Sequence, residues 1–218
     1  MIFENAAAWP TSFLLGGEIL HGEISEDGKT LITGFANTVS IFDLSAQKLS
    51  SKFEVKGNIN YVTFGENNTI LTVTNKNIVI STSGTTHTEV PLPEEGTAVA
   101  GLAAGVFVGT KRGELLQIDL ASKSVKKKQA ISSSKITKLA VGNKKTLLAV
   151  GSSNGLLSIY DTSKGELVAN DLKYHNMQIQ TVAFNADDTK CLTGALEKDV
   201  HYWDLTKFQH IDRLESSL

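Results

Sequence analysis

Five histidines, at positions 21, 87, 175, 201 and 210, and one cysteine, Cys191, are the residues of this 218-residue chain with the most obvious chemistry. A zinc site takes its ligands at short, characteristic spacings. None of the five histidines stands at such a spacing from Cys191 or from an acid, so no metal ligand is assigned. A thiol nucleophile needs a His and Asn or Asp partner, and nothing around "TKCLTG" supplies one. That stretch alternates like a strand, so Cys191 is expected to be a small buried hydrophobe. Phosphate loops are missing too. "LLGGE" lacks the Lys and Ser or Thr that would follow, and "GSSNG" reads as a hairpin rather than the start of a helix. The acids of "EDG" and "NAD" fall in turns. Without convergent titratable groups an enzyme is not expected. No catalytic or cofactor-binding residue is assigned, no cofactor is implied, and the partner-binding residues are unknown.

The composition agrees. Hydrophobic residues make up 41% of the chain, and 21 Lys and Arg against 23 Asp and Glu leave a formal charge of −2. That balance gives no global field for nucleic acid or an anionic membrane, and neither is expected as a partner. Lys126, Lys127 and Lys128 are read as a solvated turn. The lone cysteine cannot form an internal disulfide, which favours a cytosolic or nuclear setting; the expected localisation is cytoplasmic. The opening "MIFENAAAWPTSFLLGGE" has no basic n-region and is not read as a signal peptide. No apolar run is long enough for a membrane helix.

The positioning elements emerge as a repeat. Copies open at "ILHGEIS", "INYVTF", "AVAGLA", "ITKLAV" and "IQTVAF". Each runs through a polar turn, a second apolar stretch, a tight turn and a third stretch. The third stretch ends at Asp43, Ser81, Asp119, Asp161 and Asp204, separated by 38, 38, 42 and 43 residues. Two-residue alternation marks strands, and "SEDGK", "GENNT" and "NADDT" carry hairpin turn chemistry. Segments such as "KLSSKFEV", "HTEVPL" and "GELVANDL" supply a fourth, outer strand. A four-stranded sheet every 40 residues or so cannot bury both faces alone, so the copies must stack. The fold class is all-β: a β-propeller with five recognisable four-stranded blades. The blades span 19–56, 57–95, 96–134, 135–173 and 174–218, after an N-terminal lead-in over 1–18.

"VHYWDL" at 200–205, with Trp203-Asp204, His175 and "TVAFNADDTKCLTGALEKDVHYWDL", resembles the WD-repeat propellers, whose repeats pair an early His with a late Trp-Asp. Tyr160-Asp161, Ile118-Asp119 and Phe42-Asp43 keep the aspartate and replace the tryptophan. The resemblance implies a structural role for His175, in a buried network with a hydroxyl, a hairpin acid and the Trp. At the acid position stand Glu197, Asn154 and Arg112, so only the fifth blade can complete it. From about residue 70 to 205 the chain also resembles the second propeller of the actin-interacting protein 1 family. That likeness implies actin and cofilin as protein partners in filament disassembly, with a cytoskeletal localisation.

WD-type rings usually hold seven blades, so five imply part of a larger ring or an open arc with uncovered sheet faces. The expected function is a non-catalytic protein-interaction module. A general WD-repeat scaffold subunit is the alternative, and a small-ligand or enzyme propeller would need polar residues converging on its channel. Turns around Phe35, Lys111, Arg112, Asn154 and Glu197 should share one rim, with Phe35 and Arg112 the types that most often anchor interfaces.

Overall fold

A computed structural model describes residues 21–82, 86–103, 105–197 and 199–214; the lead-in over 1–18 lies outside the described residues. Blade one holds β1 (His21–Ile24), β2 (Thr30–Phe35), β3 (Thr38–Asp43) and β4 (Lys48–Glu54). Blade two holds β5 (Ile59–Phe64), β6 (Ile70–Thr74), β7 (Asn77–Thr82) and β8 (Thr86–Pro91). Blade three holds β9 (Gly96–Leu102), β10 (Gly105–Thr110), β11 (Glu114–Asp119) and β12 (Ser124–Ala130). Blade four holds β13 (Ile136–Val141), β14 (Leu147–Ser152), β15 (Leu156–Asp161) and β16 (Glu166–Lys173). Blade five holds β17 (Ile179–Phe184), β18 (Lys190–Ala195), β19 (Val200–Asp204) and β20 (Gln209–Leu214). Each blade is a four-stranded antiparallel sheet in sequence order. The one helical element among the described residues is a 3-10 turn at Glu66–Asn68.

The aspartates that mark the repeat close its turns. Asp43, Asp119, Asp161 and Asp204 each accept a backbone N–H just beyond their strand, from Ala46 at 2.8 Å, Ala121 at 2.9 Å, Ser163 at 2.9 Å and Thr206 at 2.8 Å. Their spacing is regular because the turn needs a short acceptor there.

The core lies between blades. One apolar cluster joins blades one and two around Ile32, Val39 and Ile59, and another joins two and three around Val73, Val99 and Leu116. Phe107, Ile136 and Tyr160 join three and four; Leu157, Ile179 and Trp203 join four and five. Alternation along each strand therefore serves two neighbours, one per face. A glycine lets the blades approach. A Cβ at Gly151 would lie 2.7 Å from Ile179 Cγ2, and a Cβ at Gly34 would lie 3.1 Å from Ile59 Cγ2; Gly109 takes Ile136 the same way. A hydroxyl or amide then ties the entering strand. Thr97 donates to the Ile136 carbonyl at 2.6 Å, Thr137 to that of Ile179 at 2.7 Å, and Asn60 to that of Gly96 at 2.8 Å.

Inner strands pack in succession, β1 on β5, β5 on β9, β9 on β13 and β13 on β17; among the described residues β17 does not pack on β1 in this way, and they show no closed ring. One expectation is corrected. Lys126, Lys127 and Lys128 are not a turn but part of the exposed outer strand β12, where Lys128 pairs with Glu114 at 2.7 Å and Lys127 reaches the Gly165 carbonyl and the Tyr160 ring. Strand β12 needs little apolar character because only one of its edges is paired.

Candidate functional site

Blade five holds the densest polar arrangement. His175 is fully buried just before β17. Trp203 in β19 donates its indole N–H to Thr193 Oγ1 in β18 at 2.8 Å. The Thr193 hydroxyl hydrogen is thereby left to donate to His175 Nε2, also at 2.8 Å. An accepting Nε2 puts the ring proton on Nδ1, which donates to Glu197 Oε1 at 2.7 Å. Glu197 further accepts from the backbone N–H groups of Asn176 at 3.1 Å and Met177 at 3.0 Å. Burial works against the Glu197 carboxylate, but the bond from His175 and the backbone N–H groups of Glu197 itself and Asn176 outweigh it and hold its pKa below the ordinary glutamate value. The network is complete, with a glutamate doing what the shorter acid does in the WD motif.

Beside this network lies a cluster that sequence spacing did not show. The His201 ring stands edge-on to His175 at 4.3 Å, and its Nδ1 is 2.8 Å from His210 Nε2. Tyr174 stacks on His210 at 4.0 Å. The signal was the β19–β20 hairpin, whose register sets His210 opposite Trp203. His175, Glu197 and His201 come within metal-ligating reach of one another. Both His175 nitrogens are already committed, one as donor and one as acceptor, so this trio would have to break the blade's own network to hold an ion.

The His201 pKa lies below its ordinary value of 6.5, first through burial and then through His175 and His210; Arg213 lowers it further while Asp199 opposes. A histidine with a lowered native pKa binds fewer protons folded than unfolded. Stability is complete above the unfolded value and falls as pH drops below about 6.5. Replacing His201 with Asn should make the melting temperature less sensitive to acidification between neutral pH and 5, read by thermal unfolding. An unchanged pH dependence would count against this assignment.

The thiol of Cys191 is pushed up to about 12 by burial, which removes it as a nucleophile. Asp188 is more than a turn residue: its carboxylate crosses to blade four and accepts from the backbone N–H groups of Asn143 at 2.7 Å and Lys144 at 2.8 Å. A central cavity of about 1060 Å³ is lined by the inner strands. Polar groups do converge there. Lys138 donates to the Tyr61 hydroxyl at 2.6 Å and His21 packs on the Tyr61 ring at 4.2 Å. Glu23 accepts from Thr63 and, at 3.0 Å, from the Phe64 N–H. These groups are tied to one another in two sets, Lys138 with Tyr61 and His21, and Glu23 with Thr63 and Phe64.

The turn residues read as one rim occupy equivalent turns between second and third strands. Their availability differs. Lys111 and Arg112 project with side chains 62% and 82% exposed, held lightly by Glu95 and Glu94. Phe35 is half-buried. Asn154 turns inward to the Ser152 hydroxyl at 2.6 Å, and Glu197 serves the histidine network. The outward rim is therefore narrower than sequence position suggested. No helix among the described residues is long and apolar enough to cross a membrane.

A family model described as nucleolar protein 10-like, N-terminal domain, matches residues 20–215. No curated protein matches the chain.

Proposed function

Because the chain belongs to the nucleolar protein 10-like N-terminal domain family, we propose that it is a non-catalytic protein-interaction scaffold that works in the nucleolus. The carrying observation is the division of labour among its polar groups. Of the inward-turned ones, His175, Thr193 and Glu197 are consumed within blade five and Asp188 in tying it to blade four, while Lys111 and Arg112 extend from rigid hairpin turns. A stiff sheet presenting exposed turns suits a protein surface. The nucleolar setting is supported by the family's description alone. The actin and cofilin reading has its support in repeat wording between residues 70 and 205.

The test is a tagged copy expressed in its native cells, imaged and recovered with its bound proteins, beside an Arg112→Ala, Lys111→Ala variant. A shared partner set that the variant loses by roughly 10-fold or more, at unchanged melting temperature, is the expected result. Recovery of the same set by both proteins would refute the rim assignment. Diffuse fluorescence outside the nucleolus, with cofilin-dependent loss of actin filament mass in co-sedimentation, would replace the nucleolar reading with the cytoskeletal one.

A further inference from the structure

Three blades send a polar side chain to one level of the central cavity. Register puts His21, Tyr61, Ala98, Lys138 and Thr181 at equivalent positions of β1, β5, β9, β13 and β17. Blade three gives that level a fully buried alanine, and its Ala100 and Gly101 line the cavity beyond. Across this wall of small residues Lys138 of blade four reaches Tyr61 of blade two. Its Nζ donates to the Tyr61 hydroxyl at 2.6 Å and lies 5.3 Å from the ring centroid, while the His21 ring of blade one packs on Tyr61 at 4.2 Å.

A cation and two donors meet there, and no carboxylate joins them. None of the ion pairs among the described residues involves Lys138, although that residue is half-buried. A charge withdrawn from water is ordinarily paired. Of the acids that line the cavity, Glu23 turns to Thr63 and the Phe64 N–H, and Glu26, Asp27 and Glu66 stand in the turns that follow β1 and β5, past the far ends of those strands. The donor count points the same way. An ammonium carries three N–H groups and Tyr61 takes one; the Tyr61 hydroxyl, accepting there, keeps its own hydrogen to give. The charge is also felt nearby. Burial first and Lys138 second lower the His21 pKa, against a hydrogen bond with the Asn60 backbone that raises it.

We propose that this end of the cavity binds the anionic group of a small molecule, a phosphate or a carboxylate, with Lys138 Nζ and the Tyr61 hydroxyl as its donors. The cavity, about 1060 Å³, has room for the rest of such a molecule. Separation of charge along the cavity sets the direction: the anionic group goes toward Lys138, away from the acids at the far ends of β1 and β5. The site is distinct from the Lys111 and Arg112 turn and does not rest on the scaffold reading.

The test follows the His21 imidazole by NMR while inorganic phosphate and succinate are titrated in separate arms at constant ionic strength, balanced with chloride. Binding should saturate with a Kd of roughly 1–10 mM and raise the His21 pKa, because a negative group beside Lys138 offsets the charge that depresses it. Saturation by phosphate alone assigns a phosphate, by succinate alone a carboxylate, and by both the shared donor set. Lys138→Met, which keeps the stem and removes the charge, should weaken binding by about 10-fold or more, and Lys138→Arg should hold it within about 3-fold. Lys145→Met, which alters the cavity lining in the turn after β13, should bind as wild type does. The Arg112→Ala, Lys111→Ala variant should too, so this reading and the scaffold reading fail separately. Equal binding by wild type and Lys138→Met, or loss of binding in Lys145→Met, overturns the proposal. So does a His21 pKa that neither anion moves, a result read on the wild-type chain alone and independent of how any variant folds.

Discussion

Trp203→Ala is expected to lower the free energy of unfolding by about 3–5 kcal/mol, the range for truncating a buried tryptophan. The indole is 1% exposed and sits in the junction of blades four and five with Leu157, Ile159 and Ile179. Tyr174 and His210 meet it edge-on at 5.6 and 5.4 Å. Removing the ring costs transfer energy and leaves a cavity that the paired strands cannot close. It also frees the Thr193 oxygen from its donor. A melting-temperature drop of roughly 10 °C should accompany the loss. Trp203→Phe restores apolar bulk without the N–H and should cost about 1–3 kcal/mol, so the pair of variants separates packing from hydrogen bonding. Denaturant unfolding that finds Trp203→Ala within about 0.5 kcal/mol of wild type would refute the placement of this ring.

The second large effect is expected at Gly155. Its φ of +81° lies in the left-handed region, and a Cβ there would fall on the backbone carbonyl of His175, 2.6 Å from the carbonyl carbon. Two penalties coincide. A β-branched residue strains the turn, and the atom it strikes is main chain that cannot rotate away. Gly155→Val should therefore destabilise by about 2–4 kcal/mol. Because the displaced carbonyl belongs to His175, the damage should extend to the Thr193 and Glu197 bonds. A double substitution of Gly155→Val with His175→Ala should then cost less than the sum of the singles, measured by a denaturant cycle. Strict additivity would show that turn and network are independent.

Much of this architecture could be read from the chain. The two-residue alternation and the recurring aspartates gave four strands per copy, because both signals are local: one comes from the pleat of a strand, the other from a turn that caps its own N–H groups. The network of Trp203, His175 and Glu197 was legible through the WD resemblance, which places those three in one repeat; which hydroxyl joins them, Thr193, came from the structure. The pairing of His201 with His210 was not. It depends on an irregular register between β19 and β20 that shifts between Tyr202 and Trp203. Asp188 read as a turn acid and proved to bind the neighbouring blade, 44 and 45 residues away in sequence.

The rim shows the same division. Phe35, Lys111, Arg112, Asn154 and Glu197 share a repeat position, and position predicts a common turn. It does not predict direction: Asn154 and Glu197 have acceptors within reach of buried donors and turn inward, while Lys111 and Arg112 pair with Glu95 and Glu94 and still leave 62% and 82% of their side chains exposed.

By itself, then, the sequence determined the blade: its strands, its turns and the residues that recur in each copy, all set by interactions a few residues apart. Only the tertiary structure decided which face meets which neighbour and which acid spans two blades. Those outcomes depend on how sheets stack, and stacking joins residues some 40 positions apart through shape and burial that no local pattern records.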